Sequence, residues 1–319
     1  MISQISPQTS YSKPKDMTKI ALIDGDSFLY RAGFSVEKTK YLVESFSDGL
    51  GTELKAPEYS YAPDSKEASA RAEALKGVIW TRKEVGSVND AVAVLDSMIK
   101  KALKAIDCET YFLYLSPSTG NFRDSIGTIR KYKGNRDGLS RPVYYTDLRE
   151  HLGTVHQAIV ARGEEADDQI SWVARKWREQ HRDYTIVGID KDLKQIPGKH
   201  YDWVEDKHVE VNEEEARIYY WAQVLAGDSG DNVVGCWKMG LRKAENFLLS
   251  CDDFSDEAMW PKIVRKFKES QKLEGCPYKD LEAAEVALET IRLIRLRRTM
   301  NERLWEPPQG KKEEDYPPL

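Results

Sequence analysis

Three short stretches of the chain are apolar at nearly every position and then stop abruptly in polar residues: "KIALIDGDSF" ending its apolar run at Asp24, "TYFLYLS" over 110–116, and "DYTIVGID" over 183–190. Continuous runs of this kind mark strands buried on both faces, as in parallel sheets. Between them lie helical patterns, with apolar residues recurring every three or four positions, over 88–105 ("VNDAVAVLDSMIKKALKA"), 165–180, 213–226 and 241–250. Strands alternating with amphipathic helices predict an α/β fold with a central, mostly parallel sheet flanked by helices. Two regions depart from the rhythm. Residues 35–75, with "SFSDGLGTELKAPEYSYAPDS", are irregular and rich in Gly, Pro and Ser, and read as an insertion, a hairpin or mobile loop. Residues 252–319 are charged and mainly helical and read as a C-terminal layer. The expected division is a disordered tail over 1–17, an α/β core over 18–225, a helical region over 226–305 and a flexible tail over 306–319.

Composition narrows the class. With 32% charged residues and no apolar run of membrane-spanning length, a soluble protein with no membrane partner is expected. The polar start "MISQISPQTSYSKPKDM" lacks the apolar centre of a secretory signal. Cys108, Cys236, Cys251 and Cys276 are far apart, with no CxxC pair, so they read as reduced thiols of a cytoplasmic protein and argue against zinc. A net charge of −5 does not by itself point to nucleic acid, but the basic residues are bunched.

Acids gather at informative places. Asp24 ends the first strand; Asp190 and Asp192, in "GIDKDLKQIPG", end a later one, and two positions apart on an extended segment they face one side. Ligands of open parallel sheets sit beyond the carboxyl ends of the strands, so these three acids are predicted at one edge. Glu165, Asp167 and Asp168, in "RGEEADDQIS", open a helix and would join them; Asp228 and Asp231, in "LAGDSGDNVVG", form a fourth group. Taken singly, acids at a helix start more often cap it, and an Asp after a strand is usually a turn residue. The basic stretch "NFRDSIGTIRKYKGNRDGLSR" carries Arg123, Arg130, Lys131, Lys133, Arg136 and Arg141, with Tyr132 interleaved. A charge run is commonly a solvated face; beside a carboxylate cluster it suggests a phosphodiester brought to metal ions.

In order, "LIDGDSFLYRAGF", "NFRDSIGTIRKYKGNR", "GEEADDQIS", "VGIDKDLKQIPG" and "LAGDSGDNVVGCWKMGLRKAENFL" resemble the motifs of the structure-specific 5′ nucleases, which include phage 5′–3′ exonucleases, flap endonucleases and the 5′-nuclease domain of bacterial DNA polymerase I. The resemblance spans residues 19–250 and leans to the phage branch. It implies a PIN-like (resolvase-like) nuclease core with a helix–hairpin–helix DNA-binding element, and a 5′→3′ exonuclease with 5′-flap endonuclease activity, using two Mg2+ ions (Mn2+ substituting) to leave 5′-phosphorylated products during DNA replication, primer removal or degradation. Its metal-binding acids fall on Asp24, Glu165, Asp167, Asp168, Asp190, Asp192, Asp228 and Asp231. Lys133 and Arg136 match the catalytic basic residues at the scissile phosphate, and Tyr132 an aromatic that stacks on the terminal base. Arg123, Arg130 and Lys131 would bind DNA, as would Lys238, Arg242 and Lys243 of the hairpin element, which often holds K+. Implied partners are duplex 5′ ends, nicks and 5′ flaps, RNA–DNA hybrids and replication proteins. "RLIRLRR" (292–298) either extends the DNA track or is an amphipathic helix with solvated arginines.

Two departures from the family stand out. The second strand ends "LYLSPSTG", with Ser116 where many relatives have Asp; either one metal has fewer ligands, or Asp26 or Asp124 substitutes. The basic loop and arch over 123–158 are short, which favours cutting from ends over threading of a flap. The missing acid also leaves open an alternative, a catalytically impaired relative that binds branched DNA.

Overall fold

A computed structural model describes residues 19–45 and 58–308. The N-terminal tail, residues 309–319 of the C-terminal one and residues 46–57 of the expected insertion lie outside the described residues. The chain runs β1 (Ile20–Asp24), α1 (Gly25–Ser35), β2 (Glu37–Ser45), β3 (Glu58–Ala62), α2 (Ser65–Leu75), β4 (Val78–Val85), α3 (Val88–Ala105), β5 (Thr110–Leu115), α4 (Tyr145–Thr154), β6 (Ile159–Val160), α5 (Ala166–Glu179), β7 (Tyr184–Val187), β8 (Gly198–Asp202), β9 (Lys207–Val211), then α6 (Glu213–Ala226), α7 (Leu241–Leu248), α8 (Asp256–Gln271) and α9 (Ala283–Ile294).

Six strands form the main sheet in the order β6-β5-β1-β7-β8-β9. All its pairings are parallel except β8 with β9. The central strands β1 and β7 are buried along almost their whole length, as their unbroken apolar runs require. Helices cover both faces. On one, Phe28, Leu29 and Ala32 of α1, Leu95 and Ile99 of α3 and Leu148 of α4 pack on Ile23 and Leu113. On the other, Ile170, Val173 and Ala174 of α5 pack on Leu22, Tyr114 and Ile186. The helix starts are set locally: Ser87 and Asp90 box the start of α3, and Asn212 and Glu215 that of α6.

A second core joins α6 to α9 around Trp221, Met259, Phe267 and Ile291. The Trp221 indole donates to the Phe254 carbonyl at 3.1 Å, which satisfies its one polar atom inside that core. Between α6 and α7 the chain crosses itself at Gly227 and Gly235. A Cβ on Gly235 would lie 2.2 Å from the Ala226 carbonyl carbon, and Gly227 has φ +70°, so only glycine fits this crossing.

The described part of the region read as an insertion is more ordered than its composition predicts. β3, β2 and β4 form a separate antiparallel sheet in that order, backed by α2 and extending to Val85. Among the described residues no helix is long and apolar enough to cross a membrane.

Candidate metal centre

Strand order reverses between β1 and β7: from β1 the chain moves outward to β5 and β6, then returns to β7 and β8 on the other side. At such a switch point the connections beyond the strand ends part and leave a crevice. Asp24 closes β1 and caps α1, its Oδ1 accepting the Asp26 N–H at 3.1 Å. Asp190 follows β7 and caps a 3₁₀ turn over Lys191–Gln195, its Oδ1 accepting the Asp192 N–H at 2.8 Å. These two acids are therefore brought together by a turn, not by the extended segment that their spacing predicted. Glu165 caps α5 and Asp167 stands in its first turn. Asp228 and Asp231 come from the loop after α6, where Asp228 and Val233 pair across a tight turn.

These seven acids line one cavity of about 600 Å3, and Asp26 makes an eighth. Asp26 stands beside the end of β5, its Oδ2 accepting the Ser116 N–H at 2.9 Å. Ser116 in turn accepts the Ala166 N–H on its Oγ at 3.1 Å, tying the strand end to α5. Asp124, the other candidate for that place, caps its own turn, accepting the Asn121 N–H at 2.7 Å, and does not line the cavity.

Crowding raises the carboxyl groups. Burial, then repulsion from Asp26 and Asp190, pushes Asp24 up to about 8. Burial and Asp190 push Asp192 up to about 7, even though Gln223 donates to it at 2.5 Å. Burial raises Asp26, and burial with Asp190 and Asp24 raises Asp167 well above the carboxylate range. Glu165 goes the other way. Burial alone would raise it, but Lys133 and Arg123 outweigh burial and hold it low.

Cations of the chain offset part of this charge. The Lys133 ammonium binds Glu165 and lies 3.7 Å from Asp231; Arg136 binds Asp231; Lys191 binds Asp228. Lys191 was missed by sequence reasoning, although its position between two acids in "DKD" was a signal. The basic loop is fastened against the α6–α7 loop. The Lys133 N–H donates to the Asp231 carbonyl at 2.8 Å, Asn135 donates to the Ser229 carbonyl at 2.8 Å, and Asn232 donates to the Lys131 carbonyl at 3.0 Å.

Oxygen donors held close together, several with carboxyl groups raised by burial and mutual repulsion, fit hard divalent cations. Asp24, Asp26, Glu165, Asp167, Asp190, Asp192, Asp228 and Asp231 are the residues placed to hold them. A separate cluster of ligand-bearing side chains, Asp96, His151 and His156, lies outside the cavity. There Asp96 bonds both imidazoles, at 2.8 and 2.9 Å, and the Tyr111 hydroxyl bonds the other nitrogen of His156 at 2.8 Å.

Several residues assigned from sequence stand elsewhere. Asp168 is fully buried and does not line the cavity. Both its oxygens bind the guanidinium of Arg123, at 2.5 and 2.8 Å, and it also accepts the backbone N–H groups of Arg297 and Glu165 at 3.0 and 3.1 Å. Burial would raise its carboxyl, but Arg123 keeps it low. Arg123, expected on the DNA face, is 2% exposed and also donates to the Leu293 and Arg295 carbonyls, so it faces the interior. Tyr132, expected to stack on a base, is buried, its hydroxyl oxygen 2.7 Å from a Glu165 oxygen and 2.9 Å from an Asp231 oxygen, so that its one proton is shared between them. Three of the four arginines of "RLIRLRR" form ion pairs within the chain, Arg292 with Glu306, Arg295 with Glu302 and Arg297 with Glu164, and the fourth, Arg298, is half-buried over the Tyr220 ring, so this stretch is neither a solvated face nor a free basic track. Arg130, Lys131, Lys238, Arg242 and Lys243 are exposed, the last three around the start of α7.

No family model matches the chain. It is 26% identical over 163 residues to a 5′-3′ exonuclease of Mycoplasmopsis pulmonis, a match covering 47% of this chain and 54% of that protein. It is 31% identical over 195 residues to a DNA polymerase I of Rhizobium leguminosarum, covering 53% of this chain and 18% of that one. It is 25% identical over 203 residues to a 5′-3′ exonuclease of Buchnera aphidicola subsp. Schizaphis graminum, covering 59% of this chain and 66% of that protein. The chain thus spans less than two thirds of the length of each of these relatives. In fold it is similar to a T5 5′-exonuclease mutant, with a TM-score of 0.51, 14% identity and 88% of each chain covered. It is likewise similar to the bacteriophage T5 flap endonuclease in complex with DNA and metal ions, with a TM-score of 0.53, 14% identity, and 87% of this chain and 89% of that one covered. The α/β architecture is shared with these structures, and in both sequence and fold the similarity is to 5′ nucleases.

Proposed function

We propose that this chain is a 5′ nuclease that hydrolyses DNA phosphodiesters with two divalent cations, Mg2+ for preference, working 5′→3′ from duplex ends and nicks and on 5′ flaps. The observation that carries this reading is the gathering of eight carboxylates at the switch point of the sheet, with Lys133 and Arg136 fastened among them. Bound there, divalent cations would supply Lewis acidity at the phosphate and a water activated at neutral pH. Asp24, Glu165, Asp167 and Asp190 are assigned to the inner position, with Asp26 in place of the absent strand-end acid. Asp192, Asp228 and Asp231 are assigned to the outer position.

Lys133 and Arg136 now neutralise Glu165 and Asp231. With cations held by those carboxylates, the Lys133 ammonium and Arg136 guanidinium would be free to face the phosphate and stabilise the charge that develops during cleavage. Tyr132, sharing its one hydroxyl proton between the same two acids, fixes their orientation. Asp168 acts at one remove, by holding Arg123 beneath the start of α5. The α6–α7 connection is proposed as the hairpin element that grips the duplex backbone, with Lys238, Arg242 and Lys243 on phosphates. Asp26, placed beside Ser116, weighs against a cleavage-incompetent branched-DNA binder.

The test uses duplex DNA labelled at the 5′ end or the 3′ end, and a 5′-flap substrate, each with Mg2+ or with EDTA. Mg2+-dependent release of 5′-phosphorylated products from the 5′ end is expected. Tight binding without cleavage, in Mg2+ and in Mn2+, would overturn the proposal.

A further inference from the structure

The small sheet has one covered face and one open face. Because paired residues on neighbouring strands share a face and the faces alternate along each strand, the register sorts its side chains. Val43 and Ala62 lie on one side and pack against Ala68 of α2. On the other side Leu42 pairs with both Tyr61 and Trp80, so these two rings flank it across three strands. Glu44 pairs with Tyr59 on the same side. Tyr61 is 70% exposed, Tyr59 56% and Trp80 55%. Solvent-exposed aromatics gathered on one open sheet face are unusual unless something binds there.

The rest of that face says what would bind. Further along, Lys40 pairs with Arg82 and Lys38 with Glu84, and Lys40 bridges to Glu84 at 2.8 Å. Three cations, Lys38, Lys40 and Arg82, thus share the face of the aromatic row with two acids, Glu84 and Glu44. Two of the rings are also held in place, since Glu44 accepts from the Tyr59 hydroxyl at 3.1 Å and from the Trp80 indole. Fixed ring faces beside a basic strip suit unpaired bases and their phosphates, because every base has a flat face to stack and aromatic platforms bind single strands without regard to sequence. Tyr59 and Tyr61, two residues apart on β3, are spaced by roughly 7 Å, and Tyr61 and Trp80, two strand spacings apart across β2, by roughly 9.5 Å, distances that a flexible single strand can bridge. The root of this sheet is joined to the cavity wall. Glu37 accepts the Val143 N–H at 2.5 Å and the Tyr144 hydroxyl donates to the Gly86 carbonyl at 2.8 Å, next to Arg141, which lines the cavity.

We infer that the open face of the β3-β2-β4 sheet binds single-stranded DNA, with bases stacked on Tyr61 and Trp80 and phosphates on Lys38, Lys40 and Arg82. The surface lies apart from the metal centre and does not depend on it. The test is binding of fluorescein-labelled oligothymidylate to the full chain in EDTA, where nothing is cut, beside a blunt duplex as control. Trp80→Ala and Tyr61→Ala should each weaken oligothymidylate binding roughly five- to 100-fold. Trp80→Phe should keep most of the affinity, and duplex binding should stay unchanged in all three. Arg82→Gln should lessen the slope of log affinity against log salt by about 0.7. Melting temperatures equal to the parent's show that these exposed substitutions leave the fold intact. Unchanged oligothymidylate affinity in the Trp80→Ala, Tyr61→Ala double variant would overturn the inference. So would a change confined to sedimentation, which would make this face a contact between copies of the chain. Either result leaves Mg2+-dependent cleavage of the duplex 5′ end as a separate readout of the metal centre.

Discussion

Asp168→Asn separates a structural acid from a metal-binding one. In the parent, Asp168 and Arg123 meet through two hydrogen bonds of 2.5 and 2.8 Å with both side chains out of solvent. The amide keeps the shape but removes the charge and turns one acceptor into a donor facing the guanidinium. Breaking a buried ion pair from one side costs about 3–5 kcal/mol, because the remaining charge is stranded. For a chain of this size that lowers Tm by roughly 4–8 °C. Asp167→Asn is the comparison. Its carboxyl is already pushed well above the ordinary range by burial, Asp190 and Asp24, so a neutral amide relieves repulsion. Its Tm in EDTA is expected at or above the parent's. Thermal unfolding followed by circular dichroism, in EDTA and in Mg2+, reads both effects. Asp168→Asn should melt low in both conditions yet still gain stability from Mg2+; Asp167→Asn should melt high and lose that gain. A parental Tm for Asp168→Asn together with loss of the Mg2+ gain would refute the reasoning and return Asp168 to the metal.

Three further outcomes follow from the same geometry. Without metal, Asp24 and Asp192, raised to about 8 and about 7, keep protons that the unfolded chain has already released. Stability should therefore fall as pH rises from about 4 to about 8 and level off beyond, while divalent cations stabilise more at pH 8 than at pH 5.5; urea unfolding at a series of pH values reads this, and apo stability that climbs over that window would contradict it. Lys133→Ala should slow cleavage about 100-fold or more while duplex affinity measured in Ca2+ changes little; an equal loss in both would make Lys133 a binding residue only. Gly235→Ala should give a protein that expresses poorly or unfolds at markedly lower urea, because its Cβ would strike the Ala226 backbone; a parental unfolding midpoint would show that the crossing can relax.

Much of the core was legible because its elements obey one period. α3 buries Ala91, Leu95, Ile99 and Ala102 at helical spacing, and β1 and β7 are apolar throughout because both faces are covered. The small sheet gave no such signal. Seven of the eight residues of β4 are exposed, so its pattern has no alternation, and β2 mixes lysines with apolar residues. The acids were legible as a set because most of them close a strand or open a helix, while Asp228 and Asp231 stand in a glycine-rich turn after α6. The division of labour among them was not. Nothing in the spacing of Arg123 and Asp168, 45 residues apart, says that an arginine in a basic run turns inward and takes an acid from the cluster. The neighbour of Ser116 was half legible: Asp26 and Asp124 were both in reach of the argument, and only the Ser116 backbone in space shows that Asp26 stands beside it.

The Arg123 anchor also bears on the order in which the protein can be completed. Its partners come from α5 and from the Leu293 and Arg295 carbonyls, 170 and 172 residues further on, and Asp168 is closed over by the Arg297 N–H, 129 residues beyond it. Contacts between such distant parts of a chain form late. As the polypeptide leaves the ribosome, the acids of β1, α5 and β7 are made long before the segment that locks the basic loop against them. A nascent chain therefore carries the cluster in an unfinished setting until the segment around residues 293–297 has emerged, which keeps the carboxylate centre from being completed before then.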